Sequence, residues 1–185
     1  MNPIVHSLPD GHVWLRVADS SWLDPLDPTY AATHGGRWNP PGSFPTLYLN
    51  EDLPTARAQI ATLLEGSPVQ PEDLDDGFDL VMATLPRSQD VADAIGDEGL
   101  DRLGLPNTYP RYRNGKPVRR DVSQPIGHSV HDIGLRGVHA RSARFDDGSG
   151  RELAWFPARE TSRATPMRRL VFRDWWYADD GEVSG

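Results

Sequence analysis

Residues 35 to 64 hold polar side chains whose types and spacing suit the binding of a charged ligand. In GGRWNPPGSFPTLYLNEDLPTARAQIATLL, two glycines precede an arginine and a tryptophan. Gly36 lets a ligand approach the backbone closely, the planar guanidinium of Arg37 matches phosphate or carboxylate, and the indole of Trp38 offers a stacking surface. The same residues also fit a structural turn, with Arg37 in a surface ion pair and Trp38 in the core.

Two further polar side chains follow this loop closely. In the predicted strand TLYLN (46–50), alternation places Tyr48 on the face opposite to its leucine neighbours. Gln59 lies at the edge of the apolar stripe of the predicted helix that follows. A strand, a tight connection and a helix bring Tyr48 and Gln59 near one another. Their ordinary alternatives are a half-buried tyrosine bonded to backbone and a boundary glutamine facing water.

Other reactive side chains give weaker signals. Ser142 follows a predicted strand and precedes a glycine-rich turn, but the Gly-x-Ser-x-Gly elbow of many hydrolase nucleophiles is missing around it. His128 and His131 lie one helical turn apart without an identifiable third ligand, so no metal site is predicted. The sequence contains neither a Walker A loop nor a Rossmann fingerprint.

The composition predicts one soluble globular domain. The chain has 185 residues, of which 37% are hydrophobic and 25% charged, and no apolar run approaches the roughly 20 residues of a membrane-spanning helix. The absence of cysteine excludes disulfides and thiolate metal sites. No secretory signal is visible, so we expect a cytoplasmic protein. A net charge of −8 argues against direct nucleic-acid binding, although 111–120 and 163–173 are locally basic.

Periodicity and turn residues predict an α+β fold, in which a mostly antiparallel sheet forms the core and helices flank it. One domain spans 1–177, followed by an acidic flexible tail at 178–185. A helix is capped by Asp52, with Pro54 in its first turn, and ends at Gly66. A second helix is capped by Ser123 and ends at Gly134. A third helix is predicted at 90–104, a loop at 105–122, and strands at 12–18, 46–50, 78–86, 137–143, 151–158 and 167–177.

The block GGRWNPPGSFPTLYLNEDLPTARAQIA resembles the central signature of the RES domain family, the toxins of Xre–RES toxin–antitoxin pairs. That signature consists of a Gly-Arg-[Trp/Phe]-Asn-Pro loop, an apolar strand ending in Leu-Tyr-Leu, and a helix with an Ala-x-x-Glu pattern. Upstream, WLRVA places Arg16 where the family carries its first arginine. Downstream, SQPIGHSVHDIGLRG and GVHARSARFDDGSGRELAWFP resemble its C-terminal part, so the resemblance covers residues 12–157.

The resemblance implies a fold like that of ADP-ribosyltransferases and NAD⁺ as the substrate, cleaved at the nicotinamide–ribose bond. The acceptor would be water, phosphate or a protein. An Xre-type antitoxin would be the partner and would carry the DNA contacts, within a homo-oligomer or a toxin–antitoxin hetero-oligomer. The implied catalytic residues are Arg37, Tyr48, Gln59 and Ser142. The implied NAD⁺-binding residues are Arg16, Gly36, Arg37, Trp38, Tyr48 and Glu152.

Three positions depart from the family pattern. Gln59 stands where the family has a glutamate, Glu152 where it usually has an asparagine, and Val17 where a tyrosine is frequent. A glutamine can bond a ribose hydroxyl but supplies no negative charge, and loss of such an electrostatic group costs on the order of 10²–10³ in rate. Three explanations are open: a weak or inactive homologue, a carboxylate supplied by Glu152 instead, or an engineered change at Gln59.

Overall fold

An eight-stranded sheet with helices packed on it is built from the residues that the computed structural model of the chain describes, namely 1–74, 77–158, 164–179, 181 and 183. In chain order the strands are β1 (Val5–Ser7), β2 (Val13–Asp19), β3 (Leu47–Asn50), β4 (Phe78–Thr84), β5 (Asp90–Ala94), β6 (Gly137–Arg141), β7 (Arg151–Trp155) and β8 (Thr165–Leu170). The helices are α1 (Thr29–His34), α2 (Leu53–Leu64), α3 (Asp97–Arg102), α4 (Arg120–Asp132) and α5 (Phe172–Trp176), with a 3₁₀ helix at Pro71–Leu74.

The strand order across the sheet is β1-β5-β6-β7-β3-β2-β4-β8. Every neighbouring pair is antiparallel except β5 and β6, which run parallel. This arrangement confirms the predicted single-domain α+β fold with a mostly antiparallel sheet.

Strand β3 separates two environments, as its alternating sequence predicts. Leu47 and Leu49 are 0% and 1% exposed and pack with Trp155 in a cluster on one face of the sheet. Tyr48 lies on the other face, at the margin of a cluster built around Trp38 and helix α4. The tyrosine therefore reaches a different part of the molecule from the leucines beside it.

The sheet opens between β2 and β3. Strand β2 pairs with β4 along its whole length, from Val13 to Asp19, but its only described pairing with β3 joins Leu15 to Asn50. Near this junction the Arg16 Nη1 atom donates to the Tyr48 carbonyl oxygen at 3.1 Å. The two strands therefore diverge, and side chains from both line the space between them.

Helix α2 forms where its capping sequence predicts. The Asp52 side chain accepts from the Thr55 amide at 2.7 Å, which satisfies one of the free N–H groups of the first turn. Ala56 and Ile60 are 0% and 1% exposed and pack on the sheet. Because Ile60 points into the core, the preceding residue, Gln59, is held at the edge of the buried face.

Three sequence predictions are wrong in part. The first half of the helix predicted at 90–104 is strand β5, whose fully buried Val91 and Ala92 lie between β1 and β6, so that sheet pairing overrides local propensity. The strand predicted at 167–177 ends at Leu170. Helix α5 follows, because Phe172 and Trp175, one turn apart, pack together in the core.

Helix α4 is the third case, because it begins at Arg120 rather than after Ser123. Its N-cap is Arg119, which makes no side-chain capping bond. The Ser123 hydroxyl instead donates to the Arg37 carbonyl oxygen at 2.6 Å. A residue predicted to begin a helix therefore ties that helix to the arginine loop.

The predicted acidic tail at 178–185 is described only at residues 178, 179, 181 and 183. The Ala178 carbonyl accepts from the Arg57 guanidinium, and Val183 is 3% exposed against the α2–α5 core. The other tail positions, 180, 182, 184 and 185, lie outside the described residues. Within the described part of the chain, no helix combines the length and the apolar character needed to cross a membrane.

Candidate active site

A cleft of about 340 Å³ lies where β2 and β3 diverge. This volume falls within the roughly 300–1,000 Å³ of small-molecule sites in proteins. The walls come from β2, β3 and β7, from the loops after β2, before β3 and after β6, and from α1, α2 and the first residue of α4. Its polar side chains are Arg16, Asp27, Tyr30, Arg37, Thr46, Tyr48, Asn50, Gln59, Arg120, Arg144 and Glu152.

Two of the predicted arginines are fixed at the cleft wall. Arg16 donates to the Tyr48 carbonyl and lies over the Trp22 ring, 5.7 Å from its centroid. Burial lowers the pKa of Arg16 to about 10, against the opposing effect of Asp27, so the guanidinium is charged at neutral pH. Arg37 donates through Nη1 to the Val118 carbonyl at 3.1 Å, and its side chain lines the cleft.

The hydroxyl of Tyr48 organises the arginine loop. It accepts from the Trp38 amide and donates to Asn39 Oδ1, both at 2.8 Å. Burial raises the pKa of Tyr48 far above its usual value, so the phenol stays protonated. Gly36 is required here because a Cβ at this position would overlap the tyrosine hydroxyl.

Gln59 forms part of a polar row that crosses from helix to sheet. Its Oε1 atom accepts from Asn50 Nδ2 at 3.2 Å. Asn50 in turn is the register partner of Glu152 across the β3–β7 pair. Opposed residues share a face of the sheet, so Gln59, Asn50 and Glu152 stand side by side along the cleft.

Glu152 is partly buried and surrounded by cationic and donor groups. Burial raises its pKa above the usual range for glutamate, whereas the charges of Arg37 and Arg144 and the Ser142 hydroxyl act in the opposite direction. The Ser142 hydroxyl donates to Glu152 Oε2 at 3.3 Å. The cleft therefore contains a carboxylate that the basic side chains around it help to keep ionised.

Two of the sequence-predicted site residues, Trp38 and Ser142, do not line the cleft. Trp38 is 0% exposed within the core around α4, so its ring offers no stacking surface to a ligand. Ser142 is also 0% exposed, and its hydroxyl donates to Glu152 Oε2. Both side chains support the residues that line the cleft.

Comparison with known families decides the identity of the domain. A family profile described as the RES domain matches residues 13–179, which is most of the chain. The chain belongs to the RES domain family. The expected RES signature at 35–60 therefore coincides with the loop, strand and helix that form the cleft.

Two individual proteins are similar to this RES domain. A chain of the crystal structure of the M. tuberculosis MbcT–MbcA toxin–antitoxin complex has a TM-score of 0.71 and 18% sequence identity, with 94% of this chain and 90% of that chain covered. It shares the fold. The human cadherin EGF LAG seven-pass G-type receptor 1 is 31% identical over 135 residues, which are 65% of this chain but 4% of the receptor.

Several residues that line the RES cleft are not among those predicted from the sequence. Asn50 could have been found, because it lies two residues after Tyr48 and therefore on the same strand face. Arg120 belongs to the basic stretch 111–120, whose position beside the cleft depends on where α4 packs. Asp27 and Arg144 come from loops, and no periodic pattern indicates their direction.

Replacing Tyr48 by phenylalanine is expected to destabilise this RES domain. The change leaves the Trp38 amide without an acceptor and Asn39 Oδ1 without its donor. An unsatisfied buried polar group costs about 1–3 kcal/mol, which urea denaturation would measure as a lower free energy of unfolding. Tyr177→Phe is the matched control, since that tyrosine is 60% exposed. Equal stability of the two variants would contradict the assigned role.

Proposed function

We propose that this RES domain binds NAD⁺ in the cleft and cleaves it at the nicotinamide–ribose bond, as the toxin of a toxin–antitoxin pair. The observation that carries the proposal is the convergence of four arginines on one cleft in an acidic protein. Arg16, Arg37, Arg120 and Arg144 line it, opposed by two lining carboxylates among the described residues. The chain as a whole carries a net charge of −8.

The arginines match the pyrophosphate of a dinucleotide. Guanidinium groups form paired, charge-assisted hydrogen bonds with phosphate oxygens. Arg16 and Arg37 flank Tyr48, whose polar contacts fix the loop between them. The cleft is therefore suited to hold the doubly charged pyrophosphate, and the Tyr48 side chain that lines it is available to one of the attached bases.

Cleavage separates nicotinamide from the ribose. The C1′–N1 bond breaks, its electron pair stays on the nicotinamide nitrogen, and positive charge develops on the ribosyl carbon. With water as the acceptor, the oxygen bonds to C1′ and one proton is released; phosphate or a protein side chain are the other acceptors compatible with the family. Gln59 lines the cleft from α2, and a glutamine amide can hydrogen-bond a ribose hydroxyl.

The proposed partner is an Xre-type antitoxin, and the proposed location is the cytoplasm. The similar M. tuberculosis structure is, by its description, a complex of a toxin with an antitoxin. Such a partner would carry the DNA contacts, since the acidic charge of this chain does not favour them.

A second candidate function is NAD⁺ or partner binding without turnover. It is favoured by the neutral Gln59 at the helix position where catalysis calls for a negative charge. The Gln59 amide oxygen is also engaged by Asn50, so the side chain already has a structural partner. Such a protein would bind through the arginine-lined cleft but would not cleave the nicotinamide–ribose bond.

Nicotinamide release from NAD⁺ by the wild-type chain and by its Gln59→Glu variant separates these functions. We expect both forms to bind NAD⁺ in calorimetry and the wild type to release nicotinamide. Release by the Gln59→Glu form alone, with binding by both, would establish the second candidate. If neither form binds or consumes NAD⁺, the proposed function is wrong.

A further inference from the structure

We propose that Glu152 is the carboxylate that stabilises the developing ribosyl cation, so that strand β7 supplies the negative charge that helix α2 lacks. This inference rests on the proposed NAD⁺ cleavage. It assigns a catalytic role to a residue whose position beside Gln59 becomes visible only in the folded sheet.

Among the carboxylates, Glu152 has the position in the cleft that suits this role. Of the described acidic side chains, only Asp27 and Glu152 line the cleft. The Asp27 carboxylate stabilises the start of α1, where it accepts hydrogen bonds from the Thr29 amide at 2.9 Å and from the Thr29 hydroxyl at 2.7 Å. Glu152 faces Asn50 across one strand spacing, about 4.8 Å, and Asn50 holds Gln59.

The loop after β6 holds the Glu152 carboxylate in place. The Ser142 oxygen accepts from the Arg144 amide at 3.2 Å, so the single hydroxyl proton is free to point at Glu152 Oε2. The Ala143 backbone also favours the ionised form of the carboxylate. The Ser142 side chain is buried, so its hydroxyl is a fixed donor to Glu152. A carboxylate held in this way is preorganised, and preorganisation is what electrostatic stabilisation of a transition state requires.

The charged groups around Glu152 suit both the phosphates and the ribose of NAD⁺. Arg37 and Arg144 favour its ionised form, and both also line the cleft where phosphates would lie. When the C1′–N1 bond breaks, the electron pair leaves with nicotinamide and C1′ becomes cationic next to the carboxylate. Glu152 forms no bond in this step. It lowers the energy of the cation until the acceptor oxygen attacks C1′.

The test compares Glu152→Gln with Glu51→Gln in NAD⁺ binding and nicotinamide release. Glu51 is the matched control because its carboxylate lies outside the cleft and accepts from His139 Nε2 at 2.9 Å. We expect Glu152→Gln to lower kcat by roughly 10²–10³, the usual effect of losing an electrostatic group of this kind. The NAD⁺ dissociation constant should change by less than about threefold, and Glu51→Gln should retain the wild-type kcat.

A double variant keeps the test valid if Glu152 substitutions perturb folding. Glu152→Asn combined with Gln59→Glu moves the carboxylate from β7 to α2, where it still borders Asn50. We expect it to recover at least tenfold in kcat over Glu152→Asn alone, since the site again holds one negative charge. Failure to recover, in a folded protein that binds NAD⁺, would argue that Glu152 acts in another way.

The pH profile provides a readout that a structural role would not move. The charged and phenolic groups that interact with Glu152 are Arg37, Arg144, Tyr48 and Tyr109, and burial raises the pKa of both tyrosines. Because only the ionised carboxylate stabilises a cation, wild-type kcat/KM should fall as pH drops through the raised pKa of Glu152. In Glu152→Gln this acidic limb should be absent.

The possible negative results distinguish an error in the role of Glu152 from an error in the proposed NAD⁺ cleavage. Unchanged kcat in Glu152→Gln, or a parallel loss of kcat and NAD⁺ affinity, would overturn the role of Glu152 while leaving NAD⁺ cleavage intact. Wild-type protein that binds NAD⁺ without releasing nicotinamide would overturn it in favour of a binding module. Absence of both binding and release would refute the proposed function together with this inference.

Discussion

Replacing Arg37 by alanine is expected to weaken NAD⁺ binding by roughly 10- to 100-fold. Hydrogen bonds to charged groups contribute about 1.5–3 kcal/mol each, and each 1.4 kcal/mol corresponds to about tenfold in affinity. Arg37 is positioned for this contact because the peptide group that joins it to Trp38 is held at both ends, by Tyr48 at the Trp38 amide and by Ser123 at the Arg37 carbonyl. Calorimetric titration with NAD⁺ would measure the change.

Two controls separate a ligand contact from a loss of structure. Arg37→Lys retains the charge but loses the planar fork, so an intermediate affinity is expected. Arg102→Ala removes an exposed arginine on α3 that pairs only with Glu98 among the described residues, and it should bind NAD⁺ as the wild type does. Equal NAD⁺ affinity in wild type and Arg37→Ala would remove Arg37 from the binding site.

Replacing Gly127 by alanine is expected to destabilise the domain by roughly 2 kcal/mol, which is the upper end of the overpacking cost less the gain in helix propensity. Gly127 lies in α4 against the arginine loop, where an added Cβ would overlap the Trp38 carbonyl oxygen and lie 2.7 Å from its carbon. Overpacking of this kind typically costs about 1–3 kcal/mol, and here the obstacle is rigid backbone. The gain in helix propensity from glycine to alanine, about 1 kcal/mol, does not offset it.

Urea denaturation would measure this effect, and NAD⁺ titration would show its consequence for the cleft. Because α4 supports the loop that carries Arg37, its displacement should also weaken ligand binding. Gly181→Ala is the matched control, since no atom of the described residues lies within 4 Å of the added methyl group. A Gly127→Ala protein as stable as the wild type would show that α4 and the loop do not pack as described.

The local part of the site is predictable from sequence because its parts are neighbours in the chain. The loop with Arg37, the strand with Tyr48 and the helix with Gln59 follow one another within 35–64, and alternation and helix periodicity indicate their faces. The cap at Asp52 fixes the start of that helix, as observed. These short-range rules are sufficient to bring the three side chains to one side of the sheet.

The remaining features depend on contacts between distant segments. The pairing of β3 with β7 sets Glu152 opposite Asn50, and a one-residue shift in register would turn Glu152 to the other face. Trp38 is buried because α4 packs on it, a contact that loop composition cannot predict. Likewise, Val91 and Ala92 form a strand because β1 and β6 flank them.

The cleft also shows how an acidic chain can hold an anion. Its four arginines come from β2, from the loop before β3, from the first residue of α4 and from the loop after β6. Total charge does not predict this concentration, because the fold collects cations from four separate segments. The acidic side chains elsewhere contribute to the net charge of −8 without opposing the cleft.

The most direct test of NAD⁺ cleavage in this cleft is a single-turnover measurement, with wild-type protein in excess over NAD⁺ and nicotinamide quantified over time. Excess protein makes even a slow reaction visible. We predict one nicotinamide released for each NAD⁺ lost, at a rate that Glu152→Gln lowers by roughly 10²–10³. NAD⁺ that remains intact with saturating wild-type protein would contradict cleavage by this chain.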